Sequence, residues 1–452
     1  MVVVLNDDVL EAIVRYVNRS TLPAVCLASR SLEHIGRRKL YEHICVRAEQ
    51  AFALFYTFIY ARPTVGRLVR SYTELTSLNN VVIPAWSVER FRMLSQALVT
   101  MINVRNLRLR TPVRDIISAG RGDDFSNAIS GMRALTVLMV HSVPGACGTL
   151  FSGITANLTC IAVQGLANEN DGPPSGLTEL LRACRYSLTR VRLSTMDLSQ
   201  VLKLRDEDEA VWPNVILLDI AFCSADARLA RAFPALRTLV ARDSIMPVAG
   251  LLCAPGAWPH LHTLDLSHDF DVLEDAELPT PRVLDTFRVL EGRDAMFAGP
   301  HYEHLQDVLS VVVCETLRHL TVYAMPWTTR AAQKLAAMCF RLESLSVHFD
   351  GVHAISMRNL FDGLHALKKL RRFGIVYRNL RNYSADHEGL SLEVYHLGCR
   401  VVPSLREVRM TSLSRDPPQC IHWLWHRRHD ACAHWVFQSL PYEYIEEDVW
   451  LD

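Results

Sequence analysis

The chain has 452 residues, half of them hydrophobic, with 48 basic and 48 acidic side chains and a formal net charge of zero. That length suggests two or three ordinary domains, or one elongated repeat domain with an appendage. The charge balance gives no electrostatic case for a nucleic-acid or anionic-membrane partner, and no apolar run reaches the roughly 18 residues that span a bilayer.

The opening "MVVVLNDD" lacks a basic flank and turns acidic at once, so no signal peptide is expected. The 12 cysteines are scattered and show no paired framework, which fits reduced, buried thiols in the cytoplasm or nucleus. In that setting the sequons at Asn18, Asn157 and Asn382 carry no glycan, and the triplet Arg121-Gly122-Asp123 is a chance loop ahead of a helix.

The first element is an amphipathic helix within Leu5 to Val17. Asn6 is placed to cap it, and Asp7 and Asp8 suit the dipole of its first turn. Leu10, Ile13, Val14 and Val17 follow i, i+3, i+4, i+7 spacing and form one apolar stripe. A short second helix starts at Ser20 or Thr21, with Pro23 in its first turn and apolar Leu22, Val25, Cys26 and Leu27. A third begins near Ser31, with Leu32, Ile35 and Leu40 beneath a basic face of Arg37, Arg38 and Lys39. Three helices in about forty residues bury little surface alone, which points to a partner.

The stretch from Leu5 to Ile44 resembles an F-box, the helical motif that docks proteins on the Skp-type adaptor of cullin–RING ubiquitin ligases. Leu5 takes the place of the family's opening leucine. Val9, Leu10 and Ile13 match its first helix, and Leu22 and Val25 its second. "ASRSLEHIGRRKLY" is similar to the third-helix stretch of many fungal members. Asn6 stands where the family has proline, and Leu32 is the nearest large residue to its third-helix tryptophan. The resemblance implies adaptor contacts through Leu5, Val9, Leu10, Ile13, Leu22, Val25 and Leu32.

The remainder repeats the pattern L-x-x-L-x-L, usually just after an amphipathic helix. Clear copies begin at Leu135, Leu188, Val215, Leu236, Leu261, Leu317, Leu342, Leu370 and Leu405, and weaker ones at Val104, Leu158 and Leu284. The helices are legible in Val88 to Ile102, with Phe91, Leu94, Leu98 and Met101, and in Ser356 to Leu367, with Leu360, Phe361, Leu364 and Leu367. Spacings of about 20–29 residues resemble leucine-rich repeats. Each such unit stacks a strand and a helix on its neighbours to complete a core. The competing reading is an ordinary α/β domain with six or more strands.

The expected fold class is therefore α/β. Residues 1–45 form the F-box-like motif, and 46–103 a helical linker with a first degenerate repeat. An irregular leucine-rich-repeat solenoid follows over 104–412, with strands on its concave side and helices on its convex side. Residues 413–452 form an aromatic- and histidine-rich cap with an acidic tail.

Strand alternation turns the residues between the leucines onto the concave face. Arg190, Arg192, Arg242, Asp265, Arg288, Tyr323, His348 and Arg409 are the candidate target contacts there. Exposed arginine and tyrosine suit protein recognition.

No Walker loop, GxGxxG, GxSxG or HExxH motif occurs. The tail cluster Cys420, His422, His426, His429, Cys432 and His434 has zinc-ligand chemistry, but Trp423, Trp425 and Trp435 alternate with it and no CxxC pair anchors it. It is expected to be an aromatic-rich capping helix. No cofactor, metal or catalytic residue is expected. The reading is a non-catalytic substrate receptor that is monomeric within a cullin–RING ubiquitin ligase complex, binding the Skp-type adaptor and an unidentified protein substrate. The rival is a repeat scaffold outside ubiquitination, and an enzyme using the tail histidines stands behind both.

Overall fold

The computed structural model describes residues 6–18, 20–75, 88–145, 150–166, 173–203, 211–224, 228–242, 257–267, 283–290, 309, 313–323, 329–350, 357–378, 396–415, 418–427 and 433–440. The chain divides into two compact units, Met1–Asn214 and Val215–Asp452.

The first unit opens with three helices, α1 (Asp7–Tyr16), α2 (Leu22–Ala28) and α3 (Arg30–Glu42). Ser29 starts α3 by accepting a hydrogen bond from the Leu32 amide at 3.1 Å. Asn6 occupies the cap position of α1, but its side chain makes no capping bond. The other end of α1 is held from a distance. Lys39 of α3 donates to the carbonyls of Val14 and Arg15, both at 2.6 Å, and of Val17 at 3.3 Å. A cation on the last carbonyls satisfies acceptors that the helix leaves unpaired and suits its dipole. One residue of the expected basic outer face is thus structural. Helices α2 and α3 meet at Gly36, where a Cβ would stand 2.7 Å from Cys26 Sγ.

The sheet follows directly, with β1 (His43–Arg47), α4 (Ala48–Tyr56), β2 (Ser71–Leu75), α5 (Val88–Thr100), β3 (Asn106–Pro112), α6 (Val113–Ser118), α7 (Gly122–Ser130), β4 (Val137–Val143), β5 (Cys160–Gly165), α8 (Leu177–Ala183), β6 (Arg190–Ser194) and α9 (Leu198–Val201). Strands β1 to β6 pair in chain order and all in parallel. The triplet at Arg121 leads into α7, as its sequence suggests.

The second unit has β7 (Leu217–Ala221), α10 (Leu229–Ala232), β8 (Thr238–Arg242), β9 (Thr263–Ser267), β10 (Thr286–Leu290), β11 (His319–Tyr323), α11 (Thr329–Met338), β12 (Ser344–Asp350), α12 (Met357–Leu364), β13 (Arg372–Arg378) and β14 (Glu407–Arg415). These strands also pair in parallel and in chain order.

Every expected copy of the pattern starts its strand at the third position. Leu188 precedes β6 at Arg190, for example, and Leu405 precedes β14 at Glu407. The fourth-position residues form an unbroken buried ladder in each unit. In the first it runs Ile44, Tyr72, Leu107, Leu138, Ile161 and Val191 through successive register partners. In the second it runs from Leu218 through Phe287 and Phe373 to Val408. Burying each such side chain is worth about 1.5–3 kcal/mol, and no unit could bury both of its faces alone. Parallel strands with this repeat, stacked in chain order, give each unit a leucine-rich-repeat architecture.

The structure adds two strands ahead of Val104. The copy at β1 begins with Tyr41 and continues with Ile44 and Val46. The copy at β2 reads Val69, Tyr72 and Glu74, so a carboxylate fills its last apolar slot. Glu74 is there for a physical reason. The β2–β3 pairing covers Ser71–Thr73 against Asn106–Arg108. Beyond it, Glu74 Oε2 accepts from the amides of Arg110 at 3.0 Å and Thr111 at 2.8 Å, and from the Thr111 hydroxyl at 2.7 Å. The buried Tyr72 hydroxyl donates to its other oxygen at 3.1 Å. A side chain thereby replaces the missing ladder.

The turn leaving the strand repeats in three copies. Ser142, Thr195 and Phe222 all have positive φ, at 52°, 57° and 54°, and all stand at the eighth position of their copy. The next residues, Val143, Met196 and Cys223, point into the core. Apolar side chains close these three turns.

The tail departs from expectation. Residues Pro418–Arg427 and Ala433–Leu440 are not helical but form β15 and β16, antiparallel to β14 and to each other. Period-two alternation of Ile421, Trp423 and Trp425 with Cys420, His422 and Leu424 outweighs the i, i+4 histidine spacing, and aromatic residues favour strands. His429, Cys432 and the ending "YEYIEEDVWLD" lie outside the described residues.

Candidate interaction surfaces

The amphipathic α1 divides its apolar residues between two faces. Leu10 and Val14 are buried one turn apart, whereas Val9 and Ile13 are nearly half exposed and Tyr16 is 92% exposed at the next turn. A helix advances 100° per residue, so residues 9, 13 and 16 share a face distinct from 10 and 14. On α2, Leu22 is wholly buried, Val25 is half-buried and Leu27 is 88% exposed. Leu32 is half-buried on α3, and Leu5 lies outside the described residues.

This corrects two of the expected adaptor contacts. Leu10 and Leu22 form the inner seam of the helices and are not surface groups. A bundle this thin covers only one stripe of each helix, which leaves Val9, Ile13, Tyr16 and Leu27 outside. Leu27 belongs to the apolar set of the second helix and Tyr16 shares the face of Val9 and Ile13, but the resemblance names neither as a contact.

The open face of each sheet is built from strand residues that alternate with the buried ladder. In the second unit three ion pairs lie on it. Asp219 and Arg242 stand 3.9 Å apart, Asp265 and Arg288 3.3 Å, and Glu407 and Arg409 3.6 Å. Asp265 is therefore not an available target contact. It is buried directly beside its register partner Arg288. Burial raises its carboxyl pKa, while Arg288 and Arg242 pull it down. His319 has Asp285 at 3.9 Å, yet burial lowers its pKa more than that carboxylate raises it. Arg409 is exposed. Tyr323 and His348 are register partners on β11 and β12, and their side chains lie outside the described residues.

In the first unit the outward residues include arginines of β3 and β6. Arg190 and Arg192 are half-buried at outward positions of β6, as expected, and Arg108 and Arg110 hold outward positions of β3. Between them, Arg110 Nη1 lies 3.5 Å from His141 Nε2, and His141 Nδ1 lies 2.9 Å from Gln164 Oε1. Burial pushes the His141 pKa down to about 4, with Arg110 and Arg192 adding to the shift and the Gln164 bond opposing it. The imidazole is neutral near pH 7. The same face holds Cys160, whose thiol is raised by burial and lowered by Arg108 and Arg190. The weak copy at Val104 already marked β3 as a strand, so its arginines could have been read from the pattern.

Among the described residues, no three histidine, cysteine or acidic side chains converge as a metal site. Cys26, Cys45, Cys160, Cys184, Cys223, Cys314, Cys339 and Cys399 are in no disulfide. No described helix is long and apolar enough to cross a membrane.

No known family model matches the sequence, and no curated protein is significantly similar to it. Among solved structures, the leucine-rich repeat-containing protein LegL7 from Legionella pneumophila is similar at 12% identity. The match covers 83% of this chain and 92% of that one, with a TM-score of 0.31. Nothing about this chain's partners follows from that likeness.

Proposed function

We propose that the chain is a substrate-recognition subunit of a cullin–RING ubiquitin ligase. Its N-terminal helices bind the Skp-type adaptor, and the open face of its repeats binds a protein target. Catalysis belongs to other subunits, and the chain works in the cytoplasm or nucleus as one copy per complex. The observation that supports this most is the outward face of α1. Val9, Ile13 and Tyr16 form an apolar stripe on a three-helix motif whose sequence resembles an F-box. Such a stripe on a small motif is better explained by a partner than by its own core.

The test is co-purification of the adaptor with wild type and with Val9→Asp plus Ile13→Asp. Both positions are exposed, so the fold should survive. Loss of adaptor from the variant, with an unchanged thermal melt, is the expected outcome. Equal recovery would refute the assignment. A second reading is a protein-binding scaffold outside ubiquitination. It is favoured by the burial of Leu10 and Leu22, which shrinks the surface that the resemblance implies. A folded wild type that captures no adaptor selects it.

A further inference from the structure

We infer that Cys314 and Cys339 form a modification site in the second unit: a dithiol that hydrogen peroxide closes into a disulfide, fastening two successive repeats to each other. The site is separate from the proposed adaptor and target surfaces and does not depend on them.

The repeat puts the two cysteines at the same step of successive copies. In each copy the carbonyl ahead of the leading leucine accepts from that leucine's amide. Cys314 accepts from Leu317 at 3.2 Å, and Cys339 from Leu342 at 3.0 Å. In other copies this slot holds the larger buried side chains Met132, Phe233, Trp258, Leu367 and Val402. Cys314 opens a single 3₁₀ turn, Cys314–Thr316, and Cys339 follows the last residue of α11, its amide bonded to the Leu335 carbonyl at 2.8 Å. The parallel register of β11 and β12 begins just downstream, where the Arg318 carbonyl accepts from the amides of Glu343 and Ser344. Strands paired in this way lie about 4.8 Å apart, inside the Cα separation of about 4.4–6.8 Å that a disulfide spans. The stacked turns bring the two thiols into hydrogen-bonding contact.

The pair is chemically unequal. Cys314 is half-buried and within reach of solvent, whereas Cys339 is wholly buried. The contact with Cys339 lowers the Cys314 pKa against the opposing effect of burial, and the same contact, together with burial, raises that of Cys339. Cys314 is therefore the first to ionise, and the thiolate is the nucleophile. It attacks one oxygen of hydrogen peroxide. The O–O bond breaks, Cys314 becomes a sulfenic acid, and the departing hydroxide takes up a proton to form water. The Cys339 sulfur then attacks the sulfenic sulfur. The S–O bond breaks, and the hydroxide leaves with the Cys339 proton as a second water. The two thiols thus give up two electrons and two protons, and the peroxide is reduced to water. A reducing thiol reopens the bond by exchange.

The experiment uses the full chain, fully reduced and then freed of reductant. It is treated with a small excess of hydrogen peroxide, the remaining thiols are alkylated under denaturing conditions, and the digest is read by mass spectrometry. A peptide joining Cys314 to Cys339 is expected, and it should vanish after treatment with dithiothreitol. The buried thiols Cys160 and Cys184 of the first unit should be recovered alkylated. Cys339→Ala removes the second step, so sulfenic acid should accumulate at Cys314, where dimedone traps it. Oxidised wild type should melt above the reduced chain, by about 5 °C, and Cys339→Ala should show no such gain. A folded wild type that yields no linked peptide, linkage of Cys314 chiefly to another cysteine, or an oxidised chain that melts no higher than the reduced one would each overturn the proposal. Dimedone on other cysteines of Cys339→Ala but not on Cys314 would overturn the assignment of the attacking thiol.

Discussion

Glu74 offers the sharpest test of how this fold is held together. Leucine at 74 would restore the repeat pattern, and by composition alone it should stabilise the core. The structure argues the reverse. The carboxylate accepts from the backbone amides of half-buried Arg110 at 3.0 Å and buried Thr111 at 2.8 Å, beyond the end of the β2–β3 pairing. Leaving a buried amide without an acceptor costs about 1–3 kcal/mol. Two of them cost roughly 2–6 kcal/mol, while the Thr111 and Tyr72 hydroxyls can rotate toward other acceptors. Leucine burial returns about 1–2 kcal/mol. Burial raises the Glu74 pKa against the opposing bonds from Thr111, Tyr72 and Arg110, so removing the carboxyl also relieves some desolvation. The net expectation for Glu74→Leu is a loss of about 2 kcal/mol, or roughly 4–8 °C in Tm for a unit of this size. Glu74→Gln keeps an acceptor oxygen and should lose about 1 kcal/mol. Calorimetry gives the Tm values. Hydrogen exchange should show the Arg110 and Thr111 amides losing protection in the leucine variant alone. A leucine variant that melts at or above wild type would refute the argument.

His141 predicts a pH dependence. Its folded pKa is depressed to about 4 from 6.5, so its contribution is fully present above 6.5 and is lost as pH falls from there toward 4. The full swing is at most about 3.4 kcal/mol. His141→Gln should flatten the denaturant midpoint between those pH values, and an unchanged slope would count against the burial of a neutral ring. Gly36→Ala should destabilise the N-terminal helices through Cys26, and Cys26→Ala should rescue it, leaving a gain of up to about 1 kcal/mol from helix propensity. Additive melting temperatures for the pair would show that the two side chains do not meet. Lys39→Met should weaken the end of α1 by about 1–2 kcal/mol, read as faster amide exchange there. Phe222→Asn should stabilise by about 1 kcal/mol by relieving its positive φ, and a lower melting temperature would contradict that.

The sequence by itself determined the repeat. Leucine spacing at Leu135, Leu188 or Leu405 located each strand, because burying one face of a strand requires alternating apolar residues. The same reasoning placed the helix around Leu94 and Leu98, and it put Arg190 and Arg192 on the open face. It failed where polar chemistry replaces an apolar slot. Glu74 hid the β2 copy, since only the end of the β2–β3 pairing makes a buried carboxylate useful. It also failed where two periods compete, as in the tail, where strand pairing with β14 decided against the helix. Which charges meet across the strands, as Arg288 meets Asp265, is a matter of register between strands tens of residues apart. Likewise, Leu10 and Ile13 fit one helical stripe in the sequence, but packing buried one and exposed the other. Local pattern fixes what each element is, and only neighbours brought from far along the chain fix what its side chains meet.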